Sequence, residues 1–374
     1  MRELRTDRAV IAIGVFLAAL GVAAVYSATA VAAADSGGST LTRALPQLLW
    51  ATLAIVAMFA TARVSPRALG ALGLLAAPIA TAILVIPFLP GLGVDVGGSP
   101  RWILLPSPLP AIHPAEFAKP LLVLALAASL SGDREIDAPR SIFRLIRITA
   151  IPLAIVIAAP DLGTGSIIAA LSIGLYWLAG GSVRSLAAAG ALLSAGIAAV
   201  LLVTPYQQAR IGAWLDPSAD PRGASYQILR AREVFAEGGL FGLGPGGGAG
   251  LIPRVPNANN DFALAVVGID WGILGTLSVI LAVGALGVVA LYVASRAPSR
   301  FEALLAAGAG CWISLQGLLN AGAVLGVLPV TGLPLPLLSA GGSSALAAGL
   351  SLGILLGVAR RSLTPSTHSM RASR

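Results

Sequence analysis

The chain has 374 residues, 57% of them hydrophobic and 11% charged, with a mean hydropathy of +0.89. A soluble domain carries about 25% charged residues, so composition excludes a soluble globular protein and indicates a polytopic membrane protein. The net charge of +8 does not indicate nucleic acid, because the arginines punctuate apolar segments and form no stripe with aromatic neighbours.

The first apolar run, Ala9 to Ala34, shows no cleavage-site pattern and is long enough to be a first membrane helix. Hydropathy then predicts ten spans in all, near 9–31, 46–62, 68–88, 113–131, 143–159, 163–180, 184–204, 262–294, 301–326 and 341–359. The expected fold is all-α, one membrane domain over 1–374 with a large extracytoplasmic loop, 205–261, between spans seven and eight. With a cytoplasmic N-terminus, every arginine outside that loop except Arg43 and Arg101 falls on the inner side. This is the positive-inside pattern, and it makes both termini cytoplasmic.

Between spans three and four lies Gly97-Gly98-Ser99-Pro100-Arg101-Trp102, where Arg101 reads by itself as a lipid headgroup contact. Span four opens on His113-Pro114-Ala115-Glu116-Phe117-Ala118-Lys119, which holds the one lysine of the chain. A helix starting at Pro114 puts Glu116 and Lys119 on one face. Such a pair is either a local ion pair that snorkels to the interface or part of a charged-ligand site. The turn into span six, Ala159-Pro160-Asp161-Leu162-Gly163-Thr164-Gly165, offers Asp161, which alone reads as a helix N-cap.

The long loop is expected to be functional or disordered. Its centre, Tyr226 to Phe241, reads as an amphipathic helix lying on the outer membrane surface. The glycine-rich run Gly242 to Gly250 suits close backbone approach and is no nucleotide phosphate loop, since neither a preceding strand nor Gly-Lys-Ser/Thr accompanies it. Pro256-Asn257-Ala258-Asn259-Asn260-Asp261-Phe262 enters span eight, with Asn259, Asn260 and Asp261 all able to cap it. Cys311 reads as a small buried hydrophobe. His113 and His368 are far apart in sequence, against a histidine metal cluster. Before span ten, Thr331-Gly332-Leu333-Pro334-Leu335-Pro336-Leu337-Leu338-Ser339-Ala340-Gly341-Gly342-Ser343-Ser344 either starts a helix at Ser343 or packs helices closely.

Taken together, the five polar elements fall on the outer side by the arginine argument. They supply cations, acids and free backbone N–H groups, which suits an anionic lipid with a polar head. A carboxylate there can take a proton from a hydroxyl.

These elements resemble the SEDS family (shape, elongation, division and sporulation), with its RodA, FtsW and SpoVE branches. The family's Pro-Ser-Glu-Phe-Ala-Lys resembles Pro114–Lys119, and its Gln-Pro-Asp-Leu-Gly-Thr resembles Ala159–Thr164. Its Pro-Glu-x-His-Thr/Asn-Asp-Phe resembles Pro256–Phe262, and its Gly-x-Leu-Pro-x-Thr-Gly-x-Pro-Leu-Pro-x-x-Ser-Tyr-Gly-Gly-Ser-Ser resembles Gly326–Ser344. Tyr26-Ser27-Ala28 also fits, so the resemblance covers essentially the whole chain. Gly242-Leu243-Gly244-Pro245-Gly246 and Asn260 lean toward the FtsW branch.

The resemblance implies a peptidoglycan glycosyltransferase that polymerises lipid II at the outer face of the bacterial cytoplasmic membrane. Its partners are a class B penicillin-binding transpeptidase and other division or elongation proteins, with no nucleic acid. The family's catalytic aspartate falls on Asp261, and its Arg, Glu, Lys and turn Asp fall on Arg101, Glu116, Lys119 and Asp161. Arg210 corresponds to a family arginine of the large loop. Ser339, Gly341, Gly342 and Ser343 complete the expected substrate-binding set. Arg101, Lys119 and Arg210 would neutralise the leaving diphosphate, with room for a divalent cation, magnesium or manganese, as cofactor. The chain departs from the pattern at Ala159, Asn257, Asn259, Ile269-Asp270 and Ala340. Rival readings are a lipid II flippase and a non-catalytic scaffold for the transpeptidase. Clustering of the polar set at one face, without an internal repeat, favours the enzyme.

Overall fold

A computed structural model describes residues 5–35, 40–95, 100–104, 111–133, 135–223, 225–248 and 250–362. Twelve helices are described: α1 Thr6–Asp35, α2 Thr40–Thr61, α3 Pro66–Val85, α4 Pro114–Ser131, α5 Pro139–Ala158, α6 Leu162–Leu178, α7 Val183–Val203, α8 Pro205–Leu215, α9 Tyr226–Gly238, α10 Ala263–Ser295, α11 Arg300–Val324 and α12 Gly342–Ser362. Local sequence explains many of their starts. Proline occupies the first helical position of α3, α4, α5 and α8, where its missing N–H costs nothing. Ser65, Ser182 and Ser299 cap α3, α7 and α11 by accepting from the backbone N–H three residues on.

Among the described residues nine helices are long and apolar enough to cross a membrane. The tenth apolar helix, α6, has 17 residues, about 25 Å at 1.5 Å per residue. The fold is not purely helical. Gly93–Asp95 (β1) and Pro100–Ile103 (β2) form an antiparallel ribbon between α3 and α4, and Ile103 pairs on to Ile112. Gly97, Gly98 and Ser99 lie outside the described residues.

The core is built on α4, α11 and α12, which are mostly buried. Around them α10 packs along α11, α3 along α4 and α2 along α12. None of the described α7 side chains is buried.

Within 205–261 the described residues include α8, α9 and a 3-10 turn at Ile252–Arg254. The apolar face of α9 (Ile228, Ala231 and Val234) is buried against α10, so the amphipathic pattern is answered by a protein helix. The helix stops at Gly238, before Leu240 and Phe241, which are exposed. Beyond it, the chain repairs a break in α10. Gly272 has φ 65°, and a Cβ there would stand 2.4 Å from the Leu240 carbonyl oxygen. This kink frees helical carbonyls and N–H groups, and the 239–244 segment pairs with them in both directions. Leu243 and Gly244 donate to Ile269 O and Asp270 O at 2.8 and 3.0 Å, while Ile273 donates to Gly239 O at 2.9 Å. Gly246 N then donates to Ser27 Oγ of α1 at 2.9 Å.

Candidate functional site

The strap just before α10 is gripped through its backbone. Three successive carbonyls, of Asn259, Asn260 and Asp261, accept from Ala340 N (2.7 Å), Ser339 Oγ (2.5 Å) and Asn320 Nδ2 (2.6 Å). None of Asn259, Asn260 and Asp261 caps α10: Phe262 holds that position, with no side-chain cap bond. The backbone of the strap is committed to these contacts, and Asp261 is half-buried. Burial pushes its pKa up to about 6, opposed by the backbone and by the charge of Arg210. Arg210, on α8, donates to Val330 O at 3.1 Å and lies over the Tyr206 ring at 4.5 Å.

A second cluster surrounds the head of α4. Arg101, on β2, donates from Nε to Ala159 O (2.8 Å) and from Nη2 to Pro160 O (3.1 Å). Asp161 caps α6, accepting from Thr164 N at 3.0 Å and Thr164 Oγ1 at 2.7 Å. Arg101, Asp161 and His113 line one small cleft with largely apolar walls. The His113 ring packs on Trp102 at 4.8 Å. Its burial lowers its pKa, against the raising charges of Glu116 and Asp161. Sequence reading weighed His113 only as a metal ligand and missed its place here.

Lys119 and Glu116 form the expected pair, at 2.7 Å, but both are buried, at 0% and 1% exposure. Lys119 also bonds Gln316 Oε1 and stands 4.8 Å over the Trp312 ring. The mobile phosphate-binding ammonium expected from the sequence is therefore corrected to a sealed one. Glu116, Gln316 and Trp312 stand around it in place of water.

The 331–344 segment is likewise more structural than expected. Ser339 is 1% exposed; its hydroxyl donates to Asn260 O and accepts from Leu335 N at 2.8 Å. Ser343 is not the cap of α12, which begins one residue earlier; its hydroxyl accepts from His113 N at 3.0 Å. A Cβ on Gly342 would lie 2.3 Å from the Trp50 ring, so this position needs glycine for packing. Gly341 O accepts from Ala345 N at 2.9 Å in the first turn. Leu337 adopts φ 66°, uncommon for a branched side chain.

Two residues absent from the sequence reading join these parts. Gln316 and Asn320 lie four apart on α11. Gln316 meets Lys119 and donates to Pro334 O at 2.8 Å, and Asn320 donates to Asp261 O and to Leu333 O at 2.7 Å. Amides at helical spacing inside an apolar span were the available signal. Among the described residues no three His, Cys, Asp or Glu side chains stand together as a metal-binding group.

A family model described as cell cycle protein, covering FtsW, RodA and SpoVE, matches residues 7–363. The chain belongs to the FtsW/RodA/SpoVE family. The probable peptidoglycan glycosyltransferase FtsW of Mycobacterium tuberculosis is 32% identical over 375 residues, spanning 100% of this chain and 71% of that protein. The FtsW of Nitrosococcus halophilus, of the same description, is 34% identical, covering 92% of this chain and 89% of its own. Stage V sporulation protein E of Bacillus subtilis is 31% identical, covering 96% and 99%. Among solved structures, RodA of Thermus thermophilus superposes with a TM-score of 0.68 at 25% identity, covering 95% and 97%. A chain of a peptidoglycan synthase complex gives a TM-score of 0.75 at 24% identity, covering 95% and 98%. The family fold and the nine long apolar helices make this chain a multi-pass membrane protein. The lean to the FtsW branch agrees with the names of these relatives.

Proposed function

We propose that this chain, a peptidoglycan glycosyltransferase, polymerises lipid II with Asp261 as its general base. The observation that carries the reading is Asp261: half-buried, held through its backbone, with a carboxyl pKa raised to about 6 and Arg210 acting on its charge. A base with a pKa near the working pH is both available and strong enough to take a proton.

In the reaction, Asp261 accepts the proton of the acceptor's GlcNAc 4-hydroxyl. That oxygen forms a bond to the anomeric carbon of the donor's MurNAc from the face opposite the diphosphate. The bond from this carbon to the diphosphate oxygen breaks and its electron pair leaves with the diphosphate, so the new link is β-1,4. A positioned base contributes roughly 10²–10⁴-fold. Arg210 and Arg101 are assigned to the diphosphate charge. Buried Lys119 and Glu116 act as a strut beneath the site. No group of three acidic, His or Cys side chains stands together among the described residues. A magnesium or manganese ion would fit as a companion of the diphosphate, and no step is routed through it.

The departures from the family pattern are compatible with this chemistry. Ala340 holds Asn259 with its backbone N–H, which no side chain there changes. Asn257 sits at φ 55°, a left-handed conformation that asparagine tolerates. By the arginine distribution the site faces outward and both termini face the cytoplasm. The similar complex chain comes from an assembly coordinating polymerization and crosslinking, which supports a class B penicillin-binding transpeptidase as partner, in division or elongation.

The test is lipid II polymerisation by the purified chain with its cognate transpeptidase, wild type beside Asp261→Asn, with and without chelator. Glycan strands from wild type alone support the base. Strands from Asp261→Asn at the wild-type rate exclude it.

A further inference from the structure

We infer that Asn320 is the positioning residue for Asp261, a role that rests on the base assignment above. Asn320 is 2% exposed, near the C-terminal end of α11 and one turn beyond Gln316. Its Nδ2 lies 2.6 Å from Asp261 O and 2.7 Å from Leu333 O. Two carbonyls converging on one amide atom identify that atom as the nitrogen, since an oxygen there would face two acceptors. Both of its hydrogens are therefore used. The amide oxygen is buried without a hydrogen-bond partner, so this side chain serves as a donor.

The arrangement has a reason in the sequence. Leu333-Pro334-Leu335-Pro336 cannot pair as a strand, because its prolines carry no N–H. Its buried carbonyls need donors from elsewhere. The amides of Gln316 and Asn320, one turn apart on α11, supply them to Pro334 O and Leu333 O. Asn320 then uses its second hydrogen on Asp261 itself. One side chain thus sets the distance between the strap carrying the carboxylate and the 331–334 segment. That segment lies beside Arg210, which bonds Val330 O. Ser339 and Ala340 hold the two preceding carbonyls, and Asn320 grips the residue bearing the carboxylate.

A base misplaced by about 1 Å loses on the order of 10²-fold in rate while binding is spared. Asn320→Asp keeps the shape and replaces the donor with an acceptor. Asn320→Ser keeps one donor and introduces no charge. Each is assayed in the full chain with its transpeptidase for kcat, KM and the pH dependence of lipid II polymerisation, and its unfolding temperature is recorded. The expected result for Asn320→Asp is a fall in kcat of about 10²-fold with KM within about twofold. The acid limb of its pH profile should move away from the wild-type position, and Asn320→Ser should fall between. The inference is overturned if either folded variant keeps the wild-type limb, or loses activity only in proportion to its folded fraction. An Asp261→Asn enzyme with undiminished rate would remove the base assignment, and this role with it. An inactive Asp261→Asn enzyme beside an Asn320→Asp enzyme of unchanged profile would remove the positioning role alone.

Discussion

The Ser339 hydroxyl donates a 2.5 Å hydrogen bond to the carbonyl of Asn260, 79 residues earlier in the chain. The same oxygen accepts from Leu335 N at 2.8 Å, so a single buried hydroxyl ties the strap before α10 to the turn before α12. Ser339→Ala would leave the buried Leu335 N–H without a partner and the Asn260 carbonyl without this one. A buried group left unpaired costs about 1–3 kcal/mol. A lower unfolding temperature in detergent is expected, together with slower polymerisation. An unchanged unfolding temperature would show that the bridge contributes nothing.

With Asp261 as the proposed base, the acid side of the pH profile reports its ionisation. As a base it works only when ionised, and burial raises its pKa to about 6. The rate of lipid II polymerisation is expected to rise as pH passes through about 6 and level off above it. A limb near pH 4, where an unburied aspartate titrates, would contradict this environment.

The same shift has a stability consequence. The folded chain holds the Asp261 proton up to about pH 6, the unfolded chain only to about 3.8. Folding therefore takes up a proton between these values. The stabilisation is fully present below 3.8 and is lost as pH rises through about 6. Asp261→Asn carries no charge to bury. It is expected to unfold at a higher temperature than wild type at pH 8, while being inactive. The gap should close at pH 4, and a gap independent of pH would point to some other cause.

Lys119 is the buried cation of a pair whose anion, Glu116, is 1% exposed. Lys119→Met removes one charge and strands the other. Breaking a buried pair in this way costs about 3–5 kcal/mol. Lys119→Met combined with Glu116→Gln should be less damaging than the sum of the single changes, measured by thermal unfolding. Additive losses would mean that the two side chains act independently.

Gly272 holds the kink of α10 at φ 65°, with the Leu240 carbonyl 2.4 Å from where a Cβ would stand. Gly272→Ala must push the 239–244 segment off the helix. A loss of about 1–3 kcal/mol is expected, as for overpacking elsewhere. Protease cleavage between α9 and α10 should also speed up, and cleavage at the wild-type rate would count against the segment being displaced.

Much of the architecture was written in local sequence. Apolar runs long enough to cross a bilayer must become helices, because lipid offers no partner to their backbone. Pro114 starts α4, and three-residue spacing brings Glu116 to Lys119 whatever surrounds them. Asp161 caps α6 through Thr164, three residues away. Each of these relations spans a single turn. Tertiary packing decided the rest. Whether Lys119 meets water or Gln316 depends on how α11 lies against α4. Whether Asn320 is a spare amide or the grip on Asp261 depends on a contact across 59 residues. The apolar face of α9 fits a membrane or a helix equally well in sequence, and only the kinked α10 beside it decided which. Hydrogen-bond partners far apart in the chain leave no periodic trace, since their meeting is set by helix crossing geometry and not by spacing along one element.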